Sequence, residues 1–336
     1  MKWFDITDKP LEISGLAVKE KHQFYRLPMD VIDTISPGVS GTARASSGGR
    51  VRFRTDSPFV KMQYIVKSLP LASSNLSILG QSCADCYVDG IFVGNPGNKP
   101  GGSTILEKEA PKEPRMQDVE IYLPTYNSLY SMEIGLADDA QVQAPRPYTY
   151  TDPIVFYGSS ITQGAAAARP GLGYVARTAR ALDADFINLG FSGSAKGEEK
   201  LAQYIAGLKM TAFVMDYDHN APTPEHLRAT HRPFFEIIRS TQPNLPILLL
   251  SRPDYLKNGM ADAIENSAAR RDIVKETYEK ALKNGDKHVA FIDGEAFFPM
   301  EFWDCCTADT CHPNDLGFHY MTLSVTAALK KLLAKS

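Results

Sequence analysis

The sequence predicts an α/β protein with a parallel sheet in its second half, preceded by an antiparallel β-sandwich of jelly-roll type. Three observations lead there. The first 145 residues alternate apolar and polar side chains with the period of half-buried strands. A proline-rich segment, Gln141–Pro153, follows with three prolines in thirteen residues and reads as a linker. Beyond it, short unbroken apolar runs alternate with helical stretches, the pattern of a parallel sheet covered on both faces. The expected domains are residues 1–145 and 150–336.

In the first half, "VKMQYIV" places Val60, Met62, Tyr64 and Val66 on one face and Lys61 and Gln63 on the other. "VEIYL" repeats the pattern with Val119, Ile121 and Leu123, and "YSMEIGL" with Tyr130, Met132, Ile134 and Leu136. In "CYVDGIFVG", Asp89-Gly90 supplies the left-handed conformations of a two-residue hairpin turn. Glycines, prolines and serines separate these runs, and no long amphipathic helix interrupts them, as in a sandwich. In the second half the strands are "IVFYG", "FINLG", "AFVMDY", "ILLLS" and "VAFIDG". One intervening helix carries Leu172, Val175, Thr178 and Leu182, and the last is "GFHYMTLSVTAALKKLLAK". Such sheets bind ligands just beyond the carboxyl ends of their strands, where this chain places its polar residues.

Composition narrows the function. With 43% hydrophobic and 22% charged residues the chain is an ordinary globular protein, and a net charge of −3 gives no electrostatic case for nucleic acid or an anionic membrane. The longest apolar runs, such as "PILLLS", are strand-sized and cannot span a bilayer. "MKWFDITDKP" lacks the apolar core of a signal peptide. A chain complete as written is expected in the cytoplasm; one whose leader was removed would be periplasmic or secreted. Five cysteines are too few for a disulfide scaffold of this length. Cys83 and Cys86 form a C-x-x-C, but a zinc ribbon needs a second pair, and a thioredoxin-like motif would sit at a helix start. This pair enters a hairpin and is expected to be structural. Cys305, Cys306 and Cys311 are near enough in sequence for a local disulfide.

Four strand ends carry the candidate chemistry. In Gly158-Ser159-Ser160-Ile161-Thr162, a serine between strand and helix can aim its N–H and the helix dipole at developing negative charge, or merely cap the helix. In "NLGFSGSA", Asn188 to Ala195, glycines allow close backbone approach and a free N–H can serve as an oxyanion donor; a plain loop is the other reading. In "DYDHN", the Asn220 amide can donate a hydrogen bond to a reacting carbonyl without titrating. Asp216, Asp218 and His219 are metal-ligand types, but nothing nearby in sequence completes the set, so no metal is expected. In "DTCHPNDLGF", Asp309 and His312 stand three apart before the C-terminal helix, with Asn314 or Asp315 as its cap. That spacing lets the carboxylate meet Nδ1 and leaves Nε2 to take a proton from serine, although a surface His-Pro turn would look the same.

In this order the four pieces resemble the blocks of the SGNH (GDSL-type) hydrolases, from roughly Ile154 to the C-terminus. The resemblance implies a flavodoxin-like three-layer domain with Ser160 as nucleophile and His312 and Asp309 completing a triad. It also implies an oxyanion hole made by the N–H groups of Ser160 and Gly193 and the side chain of Asn220. Two departures stand out. Ser159 occupies the place of the family's usual Asp, though a serine also caps a helix start, and Asn220 lies in Asp-His-Asn-Ala rather than Gly-x-Asn-Asp. Thr162 at the second glycine position excludes the G-x-S-x-G elbow. The first half, with "FYRLPMD" leading into "GGRVRFRTDSPFV", is similar to the β-sandwich that precedes the SGNH domain in two-domain carbohydrate esterases.

The resemblance implies a serine esterase that hydrolyses short-chain esters through an acyl-enzyme, with acetyl groups on carbohydrates the expected class. A small-molecule or polysaccharide ester would be the partner, with no cofactor. Trp3 and Trp303 are candidates for stacking on sugars, against the general rule that large apolar side chains are buried. The alternatives are a lipid-directed esterase, an acyl-CoA thioesterase or a non-catalytic carbohydrate-binding protein. No long apolar loop suggests a lipase lid, and intact Ser160, Asp309 and His312 speak against a decayed site.

Overall fold

The computed structural model describes residues 1–68, 75–97, 104–253 and 261–335, except the side chains of residues 261–264. In the second half, five parallel strands lie in the order Ala184–Gly190, Tyr150–Gly158, Ala212–Asp216, Ile247–Leu250, Val289–Ile292. Counted along the chain this is the flavodoxin-like order 2-1-3-4-5, so the first strand sits where the order reverses and its carboxyl end opens a crevice. Alternation along that strand feeds two cores. Val155 and Tyr157 pack under the helices Glu199–Ala206 and Pro224–Thr241, whereas Ile154 and Phe156 pack under Tyr174–Leu182 and Asp315–Leu333. Helices on both faces explain why Ala212–Asp216 and Ile247–Leu250 are buried at every residue, with unbroken apolar runs over 212–215 and 247–250. Leu172 falls outside the helix expected for it. Gly173 takes an extended conformation, so the helix starts at Tyr174 and Leu172 ends a short 3-10 turn.

Among the described residues the first half forms two large antiparallel sheets and a two-stranded ribbon of Val18–Glu20 with Gln23–Tyr25. One orders Lys2–Asp5, Leu129–Leu136, Phe59–Val66 and Ile105–Pro111; the other orders Val142–Gln143, Arg50–Thr55, Gln117–Tyr122, Asp85–Val88 and Ile91–Gly94, with Glu12–Ser14 also on Arg50–Thr55. Met62, Tyr64 and Ile134 of the first sheet and Val51, Phe53 and Ile121 of the second share one apolar core. Asp89 and Gly90 both have positive φ (47° and 79°), as their two-residue turn requires. Tyr130 departs from the expected alternation. A register shift between Leu129 and Ser131 turns it outward, and its ring stacks on His22 at 4.1 Å. Part of the proline-rich segment is also a strand, since Val142 and Gln143 pair with Thr55 and Arg54.

The two halves share cores. Tyr25, Leu27, Ile32, Val39 and Ala43 pack with one helical layer of the parallel sheet, and Tyr87 and Tyr122 with the other. Arg50, fully buried, reaches across to pair with the Asp185 carboxylate, donates to the Phe186 carbonyl at 3.1 Å and lies 3.7 Å over the Phe186 ring. Where the first two parallel strands end, the chain leaves no spare volume. A Cβ on Gly190 would stand 2.7 Å from Gln163 Cα and 2.7 Å from the Thr162 carbonyl carbon, both backbone atoms of the next turn. Gly190→Ala is therefore expected to cost about 1–3 kcal/mol of stability through forced backbone shifts. Urea unfolding measures it, and an unchanged midpoint would show that the turn has room.

Candidate active site

The strand Tyr150–Gly158 ends in a sharp turn into a single helical turn, Ser160–Gln163. Ser159 is its N-cap, accepting the Ile161 N–H at 3.1 Å, so the residue in place of the usual aspartate makes the cap. Ser160 begins the helix, where an N–H has no intrahelical partner. Its Oγ stands 2.9 Å from His312 Nε2. Thr162 and Tyr174 both donate to Asp216 Oδ2, at 2.9 and 2.7 Å. Burial, with Asp218 as neighbour, pushes the Asp216 carboxyl up to about 8 despite these donors. Gln163 holds two further loops, accepting the Ser192 N–H at 2.9 Å and donating to the Thr125 carbonyl at 3.1 Å.

The candidate acid and base lie on the loop before the C-terminal helix. Asp309 Oδ2 is 2.8 Å from His312 Nδ1, while Oδ1 accepts the N–H groups of His312 and Cys311 at 2.7 and 3.1 Å. The loop wraps this tightly because Thr310 adopts a left-handed φ of 63°, rare for a β-branched residue. Asn314 caps the helix, accepting from Leu316 and Gly317, and Asp315 instead accepts the Ala168 N–H at 2.9 Å. Burial pushes the Asp309 carboxyl up, but the His312 and Cys311 donors outweigh it and hold it below its ordinary value. For His312 burial acts downward, and the Cys311 and Asp309 partners overcome it, raising the imidazole to about 9. Cys311 Sγ also meets His219 Nε2 at 2.8 Å, tying this loop to the turn that carries Asn220. All five cysteines are free thiols, so Cys305, Cys306 and Cys311 form no local disulfide.

Gly193 and Asn220 face the same space. Gly193 has φ 65°, and a Cβ placed on it would meet nothing within 4 Å, so its backbone conformation rather than crowding favours glycine. Asn220 Nδ2 donates to the Phe191 carbonyl at 3.0 Å, which leaves its second N–H for the cleft. Three groups with metal-ligand chemistry have separate partners: Asp216 takes Thr162 and Tyr174, Asp218 takes the Arg252 N–H at 3.0 Å, and His219 takes Cys311. Among the described residues no cluster of three or more His, Cys, Asp or Glu is placed to hold a metal ion.

The cleft over Ser160 has a volume of about 320 Å³. Ser160, Ser192, Gly193, Asn220 and His312 line it from the second half, and Asn75, Leu76 and Tyr126 from the first. Sequence reasoning missed these last three, since nothing local marks a loop that reaches another sheet. Neither Trp3 nor Trp303 lines the cleft: Trp3 is 37% exposed on an edge strand of the first half, and Trp303 packs against a core. Arg26 was missed too, although a charge inside the apolar "FYRLP" was a signal. It is fully buried and donates to the carbonyls of Asn188, Gly190 and Thr42, fixing the strand end from which the Gly193 loop departs.

Residues 151–330 match the GDSL-like Lipase/Acylhydrolase family, and residues 1–142 match the family described as the N-terminus of Esterase_SGNH_hydro-type. Among solved structures, one assigned as a GDSL-like lipase from Bacteroides ovatus ATCC 8483 is 30% identical, with a TM-score of 0.87 over 99% of this chain and 98% of that one. The salicylyl-acyltransferase SsfX3 from a tetracycline biosynthetic pathway is 24% identical, with a TM-score of 0.78 over 98% and 97%. The acetyl xylan esterase Est2A from the rumen bacterium Butyrivibrio proteoclasticus is 14% identical, with a TM-score of 0.60 over 99% and 100%. No curated protein matches the chain at a significant level. Among the described residues no helix is long and apolar enough to cross a membrane.

Arg26 gives this geometry a direct test. Arg26→Ala strips the donor from the buried carbonyls of Asn188 and Gly190, each worth about 1–3 kcal/mol when left unsatisfied, while the Thr42 carbonyl keeps the Ala45 N–H at 3.1 Å. Chemical denaturation is expected to show a loss of at least about 2 kcal/mol, not recovered by Arg26→Lys, whose single ammonium cannot span the guanidinium's acceptors.

Proposed function

The chain belongs to the GDSL-like lipase/acylhydrolase family, and from that membership we propose that it is a serine esterase for short acyl groups, acetyl esters of carbohydrates foremost. The observation that carries the proposal is the chain of contacts from Ser160 Oγ to His312 Nε2 at 2.9 Å and from His312 Nδ1 to Asp309 at 2.8 Å. His312 takes the Ser160 proton as Oγ attacks the ester carbonyl, and Asp309 stabilises the imidazolium that forms. The N–H groups of Ser160 and Gly193 and the Asn220 amide would hold the tetrahedral oxyanion. Collapse expels the alcohol, which leaves with the proton from His312. Water then gives its proton to His312, attacks the acyl-enzyme, and the acid departs as Ser160 is re-protonated.

Short acyl groups are supported by the small cleft, which Leu76, Tyr126 and Ala165 bound with apolar surface. Carbohydrate esters are supported by the two-half architecture that the chain shares with an acetyl xylan esterase, and the antiparallel sheets of the first half would then face the sugar. Acyl transfer to another hydroxyl, the activity named for SsfX3, shares every step up to the acyl-enzyme. Sugar alcohols added to the assay separate the two outcomes by their products.

The first test is p-nitrophenyl acetate against p-nitrophenyl butyrate. Acetate should be the better substrate, and Ser160→Ala should fall to background; equal slow rates in wild type and variant would refute the nucleophile. Asn220→Ala should lower kcat by about 10²–10³-fold. The acid limb of kcat/KM should lie above the ordinary histidine value of 6.5, toward about 9, because only neutral His312 can accept the serine proton. A limb at or below 6.5 would show that the base is not held as described.

A further inference from the structure

The loop of the first half that reaches the cleft does more than wall it. Asn75 Nδ2 lies 3.1 Å from Asp309 Oδ2, the same oxygen that pairs with His312, and 3.1 Å from His312 Nδ1 itself. The orientation of this amide follows from its neighbours. Turned the other way, the Asn75 oxygen would face a carboxylate oxygen and repel it, so the NH₂ end points at the pair. In the tautomer that serves catalysis Nδ1 carries a proton shared with Asp309, so the Asn75 N–H goes to the carboxylate and its dipole presents a positive end to the ring.

We propose that Asn75, contributed by the first half of the chain, is a positioning residue that tunes the basicity of His312 through Asp309. The proposal rests on the reading of His312 as general base and deepens it. Two effects act in one direction. A hydrogen bond into Asp309 weakens that carboxylate's pull on the imidazolium, and the amide N–H beside Nδ1 disfavours a second positive charge there. Asn75 thus lowers the pKa of His312 and keeps more of the base neutral at working pH. Cys311 on the same loop acts the opposite way, as does Asp309. The other groups facing the ring are Ser160 on its helical turn, His219 on the turn after Ala212–Asp216, and Tyr126 from the first half. None of them donates to Asp309 Oδ2 among the described residues, so Asn75 and His312 alone share that oxygen.

The test is a titration of His312 by NMR in isotopically labelled protein, with His312→Gln identifying its signal among the seven histidines. Wild type, Asn75→Ala and the isosteric Asn75→Asp are compared, beside kcat/KM against pH on p-nitrophenyl acetate. Asn75→Ala is expected to raise the His312 pKa by about one unit, the size of one hydrogen bond to a carboxylate, and Asn75→Asp to raise it further. The acid limb of kcat/KM should move with it to higher pH. A His312 titration that stays put or falls in both variants overturns the proposal, as does a loss of activity equal at every pH. The two readings fail separately. If hydrolysis does not depend on Ser160, the esterase assignment falls, and the NMR shifts still decide whether Asn75 tunes His312.

Discussion

The turn that carries Ser160 is pressed against both neighbouring strands so closely that backbone atoms fill the space where side chains would begin. A Cβ on Gly158 would come within 2.9 Å of the Asp216 carbonyl carbon, and one on Gly190 within 2.7 Å of the turn itself. Three consecutive strand ends are thereby locked at van der Waals distance. The rest of the site follows from that packing: the Asn188–Gly193 loop and the Asp216–Asn220 turn have nowhere to go except around the serine. Hydrogen bonds then fix their angles, with Asn188 donating to the Thr162 carbonyl at 2.8 Å and the Ser159 N–H reaching the Asp216 carbonyl at 3.1 Å. Protein interiors deform little, so a site built on contact tolerances of tenths of an ångström is pre-organised before any ligand arrives.

Two buried arginines extend this frame into the first half. Arg26 supplies donors to the backbone of the Asn188–Gly190 strand end, and Arg50 does the same near its beginning while pairing with Asp185. Both are fully buried, a costly position for a guanidinium that their carbonyl and carboxylate partners offset, although Arg26 Nε has no partner among the described residues. Their cations also lie over Phe191 and Phe186, at 4.8 and 3.7 Å. The strand next to the one that leads into Ser160 is thus held at both ends by charges from outside the parallel sheet. This is why the first 143 residues, though they form their own antiparallel sheets, are coupled to the cleft and not simply attached beside it.

The cleft takes its asymmetry from the same coupling. Gly193 and Asn220 come from the parallel sheet, whereas Leu76, Tyr126 and Asn75 come from the first half. The proposed reactive atoms and the confining atoms therefore belong to different folding layers. First-half loops also brace the serine turn itself, Ser47 donating to the Gln163 carbonyl at 3.0 Å and Gln163 donating to the Thr125 carbonyl at 3.1 Å.

What the sequence determined by itself was whatever depends on neighbours along the chain. Strand period, the Asp89-Gly90 turn, the caps at Ser159 and Asn314, and the Asp309–His312 spacing are all local, and each could be read from a few consecutive residues. The four candidate loops were legible because a parallel sheet delivers every strand's carboxyl end to one side, whatever the strand order. Tyr130 misled because a register shift needs a partner strand to define it, and Leu172 because an extended Gly173 breaks a periodicity that otherwise fits. Asn75 against Asp309, Cys311 against His219 and Arg26 against Asn188 join positions 234, 92 and 162 residues apart. Only the tertiary structure decided those contacts, because a polar side chain's partner across such a distance is set by how whole sheets and helices pack and leaves no trace in the residues on either side.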